Sequence, residues 1–130
     1  MLTKLRAWDK KDNVMRDVSA IRMSDDTLKP STVFLKVVGN NGTTKEIARN
    51  ISDVDIMECL DIKDRDGNLI YDGDILEGYI SYPGDAFSDE WQGHINGQVI
   101  EDYKGRWVVD TFEIYEIHDQ LRIVGNEYEE

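Results

Sequence analysis

Asp64-Arg65-Asp66-Gly67-Asn68-Leu69-Ile70-Tyr71-Asp72-Gly73-Asp74-Ile75 carries two Asp-Gly pairs with a short apolar run between them. An aspartate can bond the backbone two residues on, and the glycine after it accepts positive φ, so Asp-Gly reads as a tight turn. The run Leu69-Ile70-Tyr71 is rich in strand-forming side chains, and Ile70 and Tyr71 fall on opposite faces of a short strand. Lys63-Asp64-Arg65 then pairs back across the Asp66-Gly67 turn. Asp74-Ile75-Leu76 opens a further strand that runs to Tyr82. Short alternating runs broken by Gly, Asn and Asp in this way read as β structure.

The same alternation extends toward the N-terminus. Met1 to Trp8 reads as an opening strand, Asp12-Asn13 as a turn, and Val14-Met15 as the resumption of an apolar run. Ser19, Ala20 and Ser24 to Asp26 read as a loop or weak helical turn that Pro30 closes. Val33-Phe34-Leu35-Lys36-Val37-Val38 is a strand. Gly39-Asn40-Asn41-Gly42 is a hairpin turn, across which Thr43 to Ala48 pairs back. Ser52 to Met57 reads as a helix start or connector with Ser52 as its cap, and Met57 to Ile62 as strand.

Toward the C-terminus, Pro83 to Gly93 reads as a polar loop that includes Asp85 and Ser88. Ile95, Val99 and Ile100 lead to a hairpin loop at Asp102-Tyr103-Lys104-Gly105, and Arg106 to Val109 pairs back. Phe112, Ile114 and Ile117 continue the core pattern. Leu121 to Val124 is a last strand, and Glu127 to Glu130 an acidic tail. The expected class is mainly β with minor α, divided into an N-terminal β-rich part over residues 1–55 and a C-terminal part over 56–130, because charge and pattern both change near 52–56.

The 130 residues hold 15 Lys and Arg against 27 Asp and Glu, a net charge of −12, with pI near 4.5. Such a balance argues against binding a phosphate backbone through bulk charge. The charge is polar along the chain. Residues 1–52 hold ten basic and six acidic side chains, residues 53–90 two and twelve, and residues 91–130 three and nine. A basic part of one copy meeting an acidic part of another would favour self-association at low salt. No apolar run is long enough to span a bilayer, and the N-terminus lacks the apolar segment of a secretory signal. The single cysteine cannot form an internal disulfide, so a reducing, cytoplasmic setting is expected.

Reactive chemistry is scarce. Asp64, Asp66, Asp72 and Asp74 do not fit a calcium loop: with Gly67 at the turn position the first ligand would be Ile62 and the last Gly73. These carboxylates read instead as turn-stabilising groups. His94 and His118 are too far apart for a helical zinc pair. Cys59, between Glu58 and Leu60, reads as a small buried hydrophobe. Tyr71, Tyr79, Tyr82, Phe87 and Trp91 stand in the most acidic part of the chain. Base stacking normally comes with a positive groove, so core packing is the better account of them.

Three segments, in order, resemble the YopX-type proteins encoded by bacteriophages and prophages. They are Arg6-Ala7-Trp8-Asp9-Lys10 with Met15, the central Asp64–Ile75 run, and Ile123-Val124-Gly125-Asn126-Glu127-Tyr128-Glu129. Leu60-Asp61-Ile62 departs from the family's Thr-Gly-Leu, and Asp72 stands where it often has Glu. The residues that carry the likeness are Trp8, Asp64, Gly67, Tyr71, Gly73, Asp74, Gly125 and Asn126, and they read as architecture. The resemblance implies an SH3-like or barrel-like C-terminal portion and homo-oligomers, with no established activity. The expectation is therefore a non-enzymatic accessory protein of the host bacterial cytoplasm, without cofactor or metal, that self-assembles and binds a host or phage protein. Neither nucleic acid nor membrane is expected as a partner. The alternatives are an acidic mimic of nucleic acid that occupies a host DNA-binding protein, weak nucleic-acid binding through the basic N-terminal third, and metal-assisted hydrolysis at the Asp64–Asp74 cluster.

Overall fold

The computed structural model describes residues 4–84, 86, 87 and 89–129, and the protein is mainly β. The chain divides into two compact units, Met1–Glu58 and Cys59–Glu130.

The first unit is an antiparallel sheet of β1 (Leu5–Asp9), β2 (Val14–Met23), β3 (Pro30–Val38), β4 (Thr44–Asn50) and the first half of β5 (Val54–Lys63), in the order β4-β3-β2-β1-β5. The opening strand runs from Leu5 to Asp9, and Met1 to Thr3, included in the expected strand, lie outside the described residues. Ala7, Val33, Leu35 and Val54 form a small core, with Val18, Ile47, Ile51 and Ile56 packed against it.

Ser19 and Ala20 do not form a loop or helical turn. They lie within β2, where Val18, Ala20 and Ile21 pair with Leu35, Phe34 and Val33. The β-branched run of β3 supplies a backbone ladder that carries these weakly inclined residues along. The reversal falls later, where Leu28 N–H bonds Ser24 O at 3.0 Å and Ser24 N–H bonds Lys29 O at 2.7 Å. Pro30 opens β3 instead of closing a segment, a place where its missing N–H costs little. The Gly39–Gly42 turn forms as read, and β3 and β4 pair from Thr32↔Asn50 to Val38↔Thr44. The connector is one 3₁₀ turn, Ile51–Asp53, preceded by Asn50. Ser52 lies inside that turn and is not its cap. Helix goes no further because Val54 already pairs with Asp9 and is buried in the core.

In the second unit, the rest of β5 pairs with β6 (Leu69–Tyr71) across the Asp66-Gly67 turn. A sheet in the order β10-β9-β8-β7-β11 is built from β7 (Asp74–Tyr82), β8 (Trp91–Glu101), β9 (Trp107–Val109), β10 (Phe112–Glu113) and β11 (Arg122–Asn126). It is an open sheet with β10 and β11 at its edges, so the barrel-like portion does not close. What completes its core is a single turn of helix, α1 (Ile114–Ile117). Ile114 and Ile117, three apart, share one helical face and are fully buried beside Leu76, Ile80, Val99, Val109 and Leu121. Both are core residues as expected, but on a helix. Strand β8 begins at Trp91, opposite Tyr82, so the polar loop ends three residues earlier than read. Asp85 and Ser88 of that loop lie outside the described residues.

Gly78 sits mid-strand in β7 because another backbone crosses it. A Cβ there would stand 2.7 Å from Gln120 O and 3.3 Å from Leu121 Cα. The Gln120 side chain then completes the contact: its Oε1 accepts Ser81 N–H at 2.7 Å and its Nε2 donates to Ser81 O at 3.3 Å. Gly78→Ala must push two backbones apart, at a cost of about 1–3 kcal/mol. The urea midpoint of the second unit should fall accordingly, and an unchanged midpoint would show that the crossing relaxes freely. Among the described residues no helix is long and apolar enough to cross a membrane.

Candidate functional site

The central motif closes on itself around three side chains. Asp64, 5% exposed, directly follows β5. Its Oδ1 accepts the backbone N–H of Asp66 and of Asn68, each at 2.9 Å, which holds the turn that Gly67 makes at φ +85°. Its Oδ2 accepts Ile123 N–H at 2.9 Å, which fastens the turn to β11. Burial opposes the charge on Asp64, but the N–H groups of Ile123, Asn68 and Asp66 outweigh it and hold the carboxyl below its ordinary range.

Asp74, fully buried, accepts Tyr71 N–H at 2.8 Å across the Asp72-Gly73 turn. Gly73 adopts φ +87°, donates to Val99 O at 3.1 Å and accepts Glu127 N–H at 3.0 Å. Its own turn thus meets the C-terminal segment. Asn126 pairs in register with Asp74, and its Oδ1 accepts the N–H of Tyr128 and Glu129 at 2.9 Å. Gly125 lies where the β11–β7 register shifts. The structure therefore brings Asp64, Gly67, Tyr71, Gly73, Asp74, Gly125 and Asn126 into one set of joints. Trp8 belongs to the first unit, on β1 between Met15 and Asp55.

Backbone N–H groups face the Asp64 and Asp74 carboxylates, so both work as mechanical pins. Among the described residues no group of three or more His, Cys, Asp or Glu could hold a metal ion. His118 Nδ1 lies 2.6 Å from Lys63 O and donates to it, since a carbonyl can only accept. His94 stands exposed on β8, opposite Tyr79. Cys59 is buried and free.

A second cluster, in the first unit, has no counterpart in the sequence reading. Asp9 is fully buried on β1. Arg16 Nε of β2 bonds its Oδ2 at 3.2 Å, and Arg49 Nε of β4 bonds its Oδ1 at 3.1 Å. Asp12 Oδ2 then accepts Arg16 Nη2 at 2.8 Å and Arg49 Nη2 at 3.2 Å. Burial raises the cost of the Asp9 charge, but the bonds from Arg49, Arg16 and the Lys11 N–H outweigh it and lower the carboxyl's pKa. A signal was present in the alternation Leu5-Ala7-Asp9, which places Asp9 on the core face and so demands a cation.

The aromatic residues depart from expectation. Tyr71 is buried, but Tyr79 is 63% and Phe87 99% exposed, and Trp91 is also exposed. Strand parity explains Tyr79: Leu76, Gly78 and Ile80 face inward, which turns Tyr79 out. Tyr103 and Tyr115 are exposed as well. Tyr82, Trp91 and Phe112 gather beside a cleft, with ring centroids 5.8 Å apart for Tyr82–Phe112 and 5.2 Å for Trp91–Phe112.

Taken together, these features define an all-antiparallel β protein in which the motif carboxylates hold backbone joints and aromatic rings stand open on an acidic unit. The chain belongs to the YopX protein family, whose model matches residues 4–130. No curated protein matches it. The crystal structure of protein EF1440 from Enterococcus faecalis is similar in fold, with a TM-score of 0.61 at 19% identity over 98% of this chain and 94% of that one.

Proposed function

We propose that this chain is a phage- or prophage-encoded, non-enzymatic module that associates with itself and binds another protein in the host bacterial cytoplasm. One observation carries the reading: exposed Tyr79, Phe87, Trp91, Tyr103 and Tyr115 stand on a unit whose 5 basic and 18 acidic side chains leave it at −13. Exposed aromatic side chains bury large area at low entropic cost, which suits a protein interface. Two of the four clustered carboxylates, Asp64 and Asp74, accept backbone N–H groups of the fold, which supports a non-enzymatic reading. The mimic reading draws less support, because Asp64 and Asp74 are buried, and Glu77, Asp102 and Glu113 are paired with arginines.

Light scattering behind size-exclusion chromatography tests the self-association. A mass above that of the 15.0 kDa chain is expected. A strict monomer at every salt concentration would remove self-assembly from the proposal.

A further inference from the structure

The cleft beside the aromatic group measures about 360 Å³ and is lined by Tyr82 and Phe112 together with Asp89, Arg106, Glu113 and Glu116. The charges there are not equivalent. Arg106 Nη2 is tied to Asp102 Oδ2 at 2.9 Å, and its Nη1 to Glu113 Oε1 at 3.2 Å. Its charge is thereby met within the fold. Asp89 and Glu116 are exposed and have no ion-pair partner among the described residues. The cleft thus offers two unmet carboxylates beside two tilted aromatic rings at 57°. Ring faces and carboxylates attract the same ligand, a cation on a hydrocarbon stem.

We infer that this cleft receives a lysine or arginine side chain from a basic segment of a partner protein. The inference rests on the protein-binding reading above and names the site and chemistry of that binding. The partner is a different protein and not a second copy, because the first unit spends much of its positive charge on itself. Lys10 pairs with Asp55 at 3.5 Å, Lys11 with Asp53 at 3.7 Å, and Arg16 and Arg49 with Asp9 and Asp12. That unit as a whole holds ten basic and nine acidic side chains. A basic partner would also be steered by the −13 field of the second unit, so its association rate should fall with salt.

The test is calorimetric titration of the full chain with an N-acetylated, C-amidated hexalysine peptide at low salt, in parallel with light scattering of each variant. Binding is expected to weaken at least tenfold in the Asp89→Asn/Glu116→Gln double variant. It should weaken severalfold in Phe112→Leu, which keeps apolar volume and loses the ring face. Asp61→Asn, which removes an exposed charge elsewhere on the same unit, should leave it unchanged. Equal affinity in all variants would show attraction to the acidic unit in general and overturn the cleft, while leaving the protein-binding reading in place. Absence of hexalysine binding would overturn it too. A change of oligomeric mass in the cleft variants would make a second copy the occupant and refute the choice of a different partner.

Discussion

Asp64→Asn is expected to destabilise the second unit by about 2–4 kcal/mol, although it keeps the size and shape of the side chain. The wild-type carboxylate accepts at both oxygens, from Asp66 and Asn68 on one and from Ile123 on the other. An amide has one oxygen. Turned one way it leaves its NH₂ against Ile123 N–H; turned the other, against the two turn N–H groups. Either orientation sets donor against donor. Asp64→Ala should cost a similar amount, because it too leaves those N–H groups without an acceptor. Chemical denaturation measures the loss, and hydrogen exchange locates it: the amides of Asn68 and Ile123 should exchange faster, well before those of the first unit. Wild-type protection at Ile123 in Asp64→Asn would mean that the tie to β11 contributes nothing.

The second large effect belongs to the first unit. Asp9→Asn should destabilise it by about 3–5 kcal/mol, because it leaves two partly buried guanidinium groups with only the exposed Asp12 to answer them. The effect is one of broken pairing. Replacing Asp9, Arg16 and Arg49 together by Leu, Met and Met removes the desolvation cost along with the attraction and should recover most of the loss. Trp8, the one tryptophan of the first unit, reports the transition by fluorescence. A triple variant as unstable as Asp9→Asn would show that the network does more than balance its own charges.

Acid should act through the same two carboxyls. The pKa values of Asp9 and Asp64 both lie below the ordinary 3.8 in the folded chain, so the unfolded chain binds more protons as pH falls through that range. Their stabilisation is complete above the unfolded value and is lost as pH drops through the folded ones. Asp9→Asn and Asp64→Asn should each flatten part of the acid limb of the stability profile.

The turns were legible because their causes are local. The Asp66-Gly67 and Asp72-Gly73 turns take their acceptors from nearby Asp64 and Asp74, and their positive φ from Gly67 and Gly73, so a few residues suffice to specify them. Strand content followed from alternation, and β7 ends where Tyr82 meets Pro83, as read. Local inclination misled where a neighbour decided the outcome. Ser19 and Ala20 are strand because β3 pairs with them, and Ile114 and Ile117 are helical because a three-residue spacing lets both reach the core. The acidic setting of Tyr79 and Trp91 favours core packing over base stacking, yet both are exposed, Tyr79 because strand parity turns it outward.

From the amino-acid order alone came the β class, the tight corners, the change of character near the middle of the chain and the family likeness, since each rests on interactions within a few residues or on a string of residue types. Contacts between distant residues needed the folded chain. Asp64 meets Ile123 fifty-nine positions away, and Asp9 meets Arg49 across forty. The Gly78 crossing and the aromatic cleft likewise depend on which backbones and rings are brought side by side. Such pairings are set by how the strands pack and register against one another, a free energy that no short window of sequence contains.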